Sequence, residues 1–379
     1  MQMKLFNMII SILLALDIVA GPAAGNTTGN ELIKKYIETS IVQEQIQESL
    51  TETPGLKWID RIDWTGKEYG PQFYKSLESA VEDNGALIEV TKGLKDDRGY
   101  YIYITTIEGI APTKEEATEQ IKKDSSILGQ YIGVVYKAFE RDHPEVFWLS
   151  EKAMYKTNIW FDKTDAGYSY TVDVLFTLKT SNFDIRAPEY QDTEKIKQTI
   201  ELQDKLVSSI IQASPSNNRY EQLKHFNSYL IEKNQYNTSA DLYSLHRDSY
   251  TCISALRGSV GAEGPICEAY ANAFKVLCDR AGIPCVLVNG YVSPSKSKES
   301  CHIWNYVQME DKKWYAVDVT WNDVVSSQKI STDWFLVGSE TKVKGVPFEK
   351  NHIISHERLG VVYEGGPELS KDAYQAQEE

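Results

Sequence analysis

Apolar residues recur at three- and four-residue intervals in three long stretches of the chain, and each predicts a helix. In Thr113–Arg141 the residues Ala117, Ile121, Leu128, Ile132, Val135 and Phe139 share one face, with Pro112 just ahead. Thr193–Gln212 and Asn218–Asn234 follow the same rhythm, the second with Leu223, Phe226, Tyr229 and Leu230 together. The linker Ala213–Asn217, with Pro215 inside it, breaks the two apart. His225 lies beside the second stripe and reads as a packed or surface residue rather than a ligand. Runs of β-branched and aromatic residues predict strands instead. Tyr100–Ile107 (YYIYITTI) is one; Lys156–Phe161 and Tyr168–Leu178 are two more, joined by a hairpin turn around Asp165–Gly167.

Further on, Glu268–Arg280 reads as a helix opened by Cys267 and closed by Gly282, with Pro284 beyond. Two alternating segments come next. Cys301–Glu310 sets His302, Trp304 and Tyr306 on one face; Lys313–Trp321 sets Trp314, Ala316, Asp318 and Thr320 on another. A short polar turn near Glu310 predicts an antiparallel hairpin. An odd-numbered loop centred on Glu310 places His302 directly opposite Asp318, Trp304 opposite Ala316 and Tyr306 opposite Trp314. An even loop would send His302 and Asp318 to opposite faces.

Charge and termini narrow the setting. The 379 residues carry 40 basic and 54 acidic side chains, a net charge of −14, so neither nucleic acid nor an anionic membrane is an expected partner. Lys4, the apolar run Leu5–Leu16 and the small residues Ala20–Gly25 follow the order of a secretory signal peptide; a short anchor helix is the alternative. The expectation is a secreted or cell-surface protein with no stable membrane insertion after cleavage, divided into 1–25 signal peptide, 26–190 α+β region and 191–379 second domain. Five cysteines leave one thiol over if Cys252, Cys278, Cys285 and Cys301 pair, and five thiols if they do not. Asn26-Thr27-Thr28 and Asn237-Thr238-Ser239 match the glycosylation triplet.

The chemistry concentrates in Gly264–Asp323. A cysteine at a helix start sits where peptide dipoles and free N–H groups favour a thiolate and can receive an oxyanion. His302 can take or hold the thiol proton, and Asp318 can orient its ring. Trp304, Trp314 and Trp321 could wall a substrate groove or simply fill a core. The elements Ile266-Cys267-Glu268-Ala269-Tyr270-Ala271, Ala281-Gly282-Ile283-Pro284-Cys285, His302-Ile303-Trp304-Asn305 and Trp314–Trp321, with His225-Phe226 upstream, together resemble the transglutaminase-core superfamily. The likeness is to its exported microbial members, and the family in turn resembles papain-like proteases.

That resemblance implies an α+β fold of papain-like type, with the cysteine at a helix N-terminus packed on an antiparallel sheet. It also implies Cys267 as nucleophile, His302 as base and Asp318 as the residue that orients it. The expected activity is acyl chemistry on protein or peptide amide bonds, hydrolytic in the leading reading, with cell-envelope material among the substrates. Crosslinking of glutamine side chains to amines is the alternative within enzymes; a non-catalytic wall-associated binding module is the alternative outside them. No cofactor is expected, and no metal, because no acidic cluster has calcium-loop spacing. A second oxyanion donor is sought near Asn234–Tyr250.

Overall fold

The periodic segments become two antiparallel sheets with helices between and around them. The computed structural model describes residues 57–82, 100–149, 154–178, 192–216, 218–238, 245–295, 298–323, 330–355, 357–358, 361–362 and 366–376. The expected signal peptide, Asn26 of the first glycosylation triplet and the division at residue 190 lie outside these.

The first sheet has the order β1–β3–β2, from β1 (Tyr100–Ala111), β2 (Met154–Thr164) and β3 (Gly167–Leu178). In β3 every second residue from Tyr170 to Leu178 is buried, the mark of a strand with one face on a core. Helices α1 (Tyr69–Glu82) and α2 (Lys114–Asp142) cover that face. Thr113 starts α2 with a capping box, accepting from the Glu116 N–H while the Glu116 carboxylate accepts from the Thr113 N–H, each at 3.1 Å. The predicted face of α2 is buried, but its C-terminal half, Ile132–Phe139, is buried all round. That half packs on the first sheet on one side and on the second sheet on the other.

The second sheet has the order β10–β4–β5–β6–β7, all antiparallel. Its strands are β4 (Cys285–Ser295), β5 (Lys298–Gln308), β6 (Trp314–Val317), β7 (Phe335–Val337) and β10 (His352–Ile354), with the small hairpin β8 (Lys342–Val343) and β9 (Val346–Pro347) between the last two. Helices α3 (Thr193–Gln212), α4 (Arg219–Lys233), α5 (Cys252–Arg257) and α6 (Cys267–Arg280) accompany it. Gly282 stops α6 at φ +70°, a conformation in which a side chain would be strained. Asn305 ties α6 to the sheet, donating from Nδ2 to the Ala271 carbonyl at 3.0 Å.

One hydrophobic core runs through both sheets, from Trp58 to Leu336. The Trp58 indole donates to the Leu287 carbonyl on β4 at 2.9 Å, and Arg141 at the end of α2 pairs with Glu268 at 3.3 Å. His225 is packed, its Nε2 2.9 Å from the Ile210 carbonyl. All five cysteines are free thiols. Asn237 is buried, its N–H bonded to the Pro265 carbonyl, so the second triplet offers no exposed attachment point for a glycan.

Candidate active site

Three elements converge at the start of α6. Ile266 caps the helix with extended backbone and no side-chain bond, its carbonyl accepting from the Ala269 and Tyr270 N–H groups, so the N–H groups of Cys267 and Glu268 have no acceptor within the helix. Cys267 is half-buried. His302 arrives from β5 and Asp318 from the end of β6; both are buried. His302 Nε2 lies 2.8 Å from Asp318 Oδ2, and the histidine's hydrogen bonding extends to the Cys267 thiol. The three residues singled out in the sequence are thus brought together.

The hairpin that delivers them differs from the sequence expectation in two ways. Its link is Met309–Lys313, centred on Asp311, because the Met309 N–H bonds the Lys313 carbonyl and Lys312 takes φ +65°. Tyr306 therefore pairs with Ala316 and Gln308 with Trp314, two residues out of the predicted register. The loop is still odd, so His302 and Asp318 keep a common face and meet diagonally rather than directly across. The second strand also ends early, at Val317. Asp318 then caps the short helix α7 (Val319–Asn322), its Oδ1 accepting from the Trp321 N–H at 3.0 Å. Both Asp318 carboxylate oxygens are consequently held in place by backbone and side-chain donors.

Electrostatics divide the charges clearly. Burial works to lower the His302 pKa, but the Asp318 carboxylate, and after it the Cys267 thiol, raise it to about 10. Burial likewise opposes ionisation of Asp318, yet the His302 charge and the hydrogen bonds it receives hold its pKa well below the usual carboxylate range. Both shifts favour the same arrangement, an ionised Asp318 beside a protonated His302.

Two residues in the site escaped the sequence reading. His352 on β10 places Nε2 3.0 Å from the same Asp318 Oδ2. Tyr236, in the segment between α4 and α5 where a second oxyanion donor was sought, sets its hydroxyl against both the backbone N–H and the thiol of Cys267. The segment is stitched to the loop before α6 by Asn237 N–H to Pro265 O at 3.0 Å. Tyr236 stacks on Tyr270 at 6.4 Å, and Asp323 accepts from the Tyr270 hydroxyl and the Tyr236 backbone N–H. Tyr236 lies in a segment without periodicity, and no local pattern marks it.

The tryptophans divide differently from the groove expectation. Trp304 and Trp314 are buried in a core cluster with Trp334, Val343 and Phe348 and present no wall to solvent. Trp321 is partly exposed and lies 5.7 Å from the His302 ring. His302, Asp318 and His352 also bring three potential donor atoms within 4.8 Å of one another. The two imidazole Nε2 atoms also lie at hydrogen-bonding distance from one carboxylate oxygen, Asp318 Oδ2.

Parts of this chain are similar to known proteins. Residues 205–319 match the sequence model of the transglutaminase-like superfamily. Kyphoscoliosis peptidase of Mus musculus is 27% identical over 168 residues, which is 42% of this chain and 24% of the mouse protein. Its Homo sapiens counterpart is 39% identical over 62 residues, 14% of this chain and 9% of the human protein. The matched stretches thus span a quarter or less of these relatives. A crystal structure from Cytophaga hutchinsonii, described as a candidate cysteine protease, superposes with a TM-score of 0.25 at 14% identity, covering 46% of this chain and 66% of the other. The matched residues contain the cysteine helix, the histidine strand and the aspartate turn, and residues 205–319 of this chain form a domain of the transglutaminase-like superfamily.

Proposed function

We propose that the chain is a thiol-dependent hydrolase of protein or peptide amide bonds, with Cys267 as nucleophile, His302 as acid and base, and Asp318 as the residue that orients it. The observation that carries this reading is His302 held between the Asp318 carboxylate and the Cys267 thiol at a helix start. His302 holds the proton of the thiol as an imidazolium, and the thiolate adds to the amide carbonyl. The oxyanion forms beside the Cys267 N–H and the Tyr236 hydroxyl, both of which can donate to it. His302 returns its proton to the departing amine, leaving a thioester. Water, deprotonated by His302, cleaves the thioester to a carboxylic acid and regenerates the thiol. The peptidase name carried by the relatives agrees with this outcome. Export through residues 1–25 would place the substrates outside the cell or in its envelope.

The test is incubation with unfolded protein substrates and a fluorescent primary amine, for wild type and Cys267→Ala. New amino termini in the wild type and none in the variant are expected. Amine incorporation without cleavage would replace hydrolysis by transamidation. Neither product, together with a Cys267 that resists iodoacetamide at neutral pH, would leave a binding module and overturn the enzyme.

A further inference from the structure

Asp318 Oδ2 serves two imidazoles at once, His302 at 2.8 Å and His352 at 3.0 Å. The triad chemistry uses only the first. An ionised carboxylate accepts and cannot donate, so both Nε2 atoms must carry hydrogen. The remaining nitrogens then differ. His302 Nδ1 is the one left to meet Cys267, whereas His352 Nδ1 is buried with no hydrogen-bond partner among the described residues. A proton there would be a desolvated, unpaired donor on a second cation, which costs far more than a bare lone pair. Burial accordingly pushes the His352 pKa down, against the pull of Asp318.

His352 is built into this position. It is 2% exposed, stacked on Phe348 at 4.2 Å and enclosed by Trp304, Trp321 and Trp334 at 4.8–5.2 Å. Its strand pairs with β4 at His352–Val292 and Ile354–Gly290, while Gly290 pairs with His302 on the other side. A Cβ on Gly290 would lie 2.0 Å from the Ile353 carbonyl oxygen. Only glycine lets β10 come close enough for His352 to share the carboxylate. The titratable groups around the trio are Cys267 from α6 and Tyr236 from the segment before α5, both reaching the His302–Asp318 pair, with Cys301 of β5 acting on Cys267.

We propose that His352 is a positioning residue for the site: a permanently neutral imidazole that donates from Nε2 to Asp318 and limits how much of that carboxylate's charge reaches His302. The inference rests on the triad reading above. Two donors on one oxygen compete, so removing the neutral one tightens the hold of Asp318 on the proton of His302. The site then keeps its ion pair but gives up the proton less readily to a leaving amine.

Histidine-labelled protein followed by NMR through a pH titration tests this, in wild type, His352→Phe and His352→Gln. Phenylalanine keeps the ring stack on Phe348 without the donor; glutamine keeps an N–H where Nε2 stood. In wild type, His352 should remain the neutral Nε2–H form from mildly acidic to alkaline pH. The His302 midpoint should rise by about one pH unit in His352→Phe, one charge-assisted hydrogen bond's worth, and return to the wild-type value in His352→Gln. An unchanged midpoint in His352→Phe, or a wild-type His352 that is protonated near neutrality, would overturn the proposal. The wild-type measurement stands even if a variant fails to fold. A His302→Ala arm, read by iodoacetamide labelling of Cys267, separates the two claims. Labelling that ignores His302 sinks the triad and this proposal together; labelling that needs His302, with a midpoint indifferent to His352, sinks this one alone.

Discussion

His143 in the first half of the chain and His302 in the second are both imidazoles held charged by carboxylates, yet only one has a nucleophile. His143 ends α2, stacked on Phe139 at 4.7 Å, with Nδ1 3.0 Å from Glu145 and Nε2 3.2 Å from Glu78. Burial works against its charge, but the bonds to Glu145 and Glu78 raise its pKa to about 9, close to the value at His302. The difference lies in the second nitrogen. Both His143 nitrogens end on carboxylates, so its proton has nowhere useful to go. One His302 nitrogen ends on a carboxylate and the other on a thiol. A raised pKa alone therefore marks an ion pair; an asymmetric pair of neighbours marks a proton-transfer site.

Substitution should separate the two histidines most sharply in reactivity. His302→Ala should slow turnover by roughly a thousandfold, the size expected for loss of a general acid–base, while His143→Ala should leave turnover within a few-fold. Equal losses in the two variants would end the distinction. Stability should show the reverse. His143→Gln removes a cation wedged between carboxylates and should cost about 2 kcal/mol in denaturant unfolding at neutral pH. Because the folded pKa of His143 is raised, its contribution is complete below the unfolded value of about 6.5. It should fade as the pH climbs through about 9, so the wild type and His143→Gln should converge at pH 10. A gap that stays constant with pH would mean packing, not charge. The smallest effect belongs to Lys57, whose ammonium lies 2.9 Å from Glu78 on the partly exposed rim of the His143 cluster. Lys57→Ala should cost about 0.5 kcal/mol, with no change in the rate of Cys267 alkylation.

The regular elements were legible because they announce themselves locally. The α2 stripe from Ala117 to Phe139, the β2–β3 hairpin and the break between α3 and α4 each follow from neighbours a few residues apart. The common face of His302 and Asp318 followed from loop parity alone, which survived a two-residue error in register. Long-range choices were not legible. Alternation puts Trp304 and Trp314 on one face but cannot say that this face is covered. His352 occupies a three-residue strand, too short to show a period, and reaches Asp318 across 34 positions of sequence. Tyr236 follows a helix end in a segment held by backbone bonds to Ser259 and Pro265, partners that no spacing rule nominates.

The shared core has a consequence for how the protein is made. Ile132–Phe139 and Trp58 belong to the first half, but part of their cover comes from β4. Trp58 finds its acceptor on Leu287, 229 positions later. At ribosomal speed that interval is roughly 10–50 s. Once Ile132–Phe139 has emerged, it presents an apolar helix surface whose β4 partner is still to be made, and any factor that shields nascent chains can act in the part of the interval that remains.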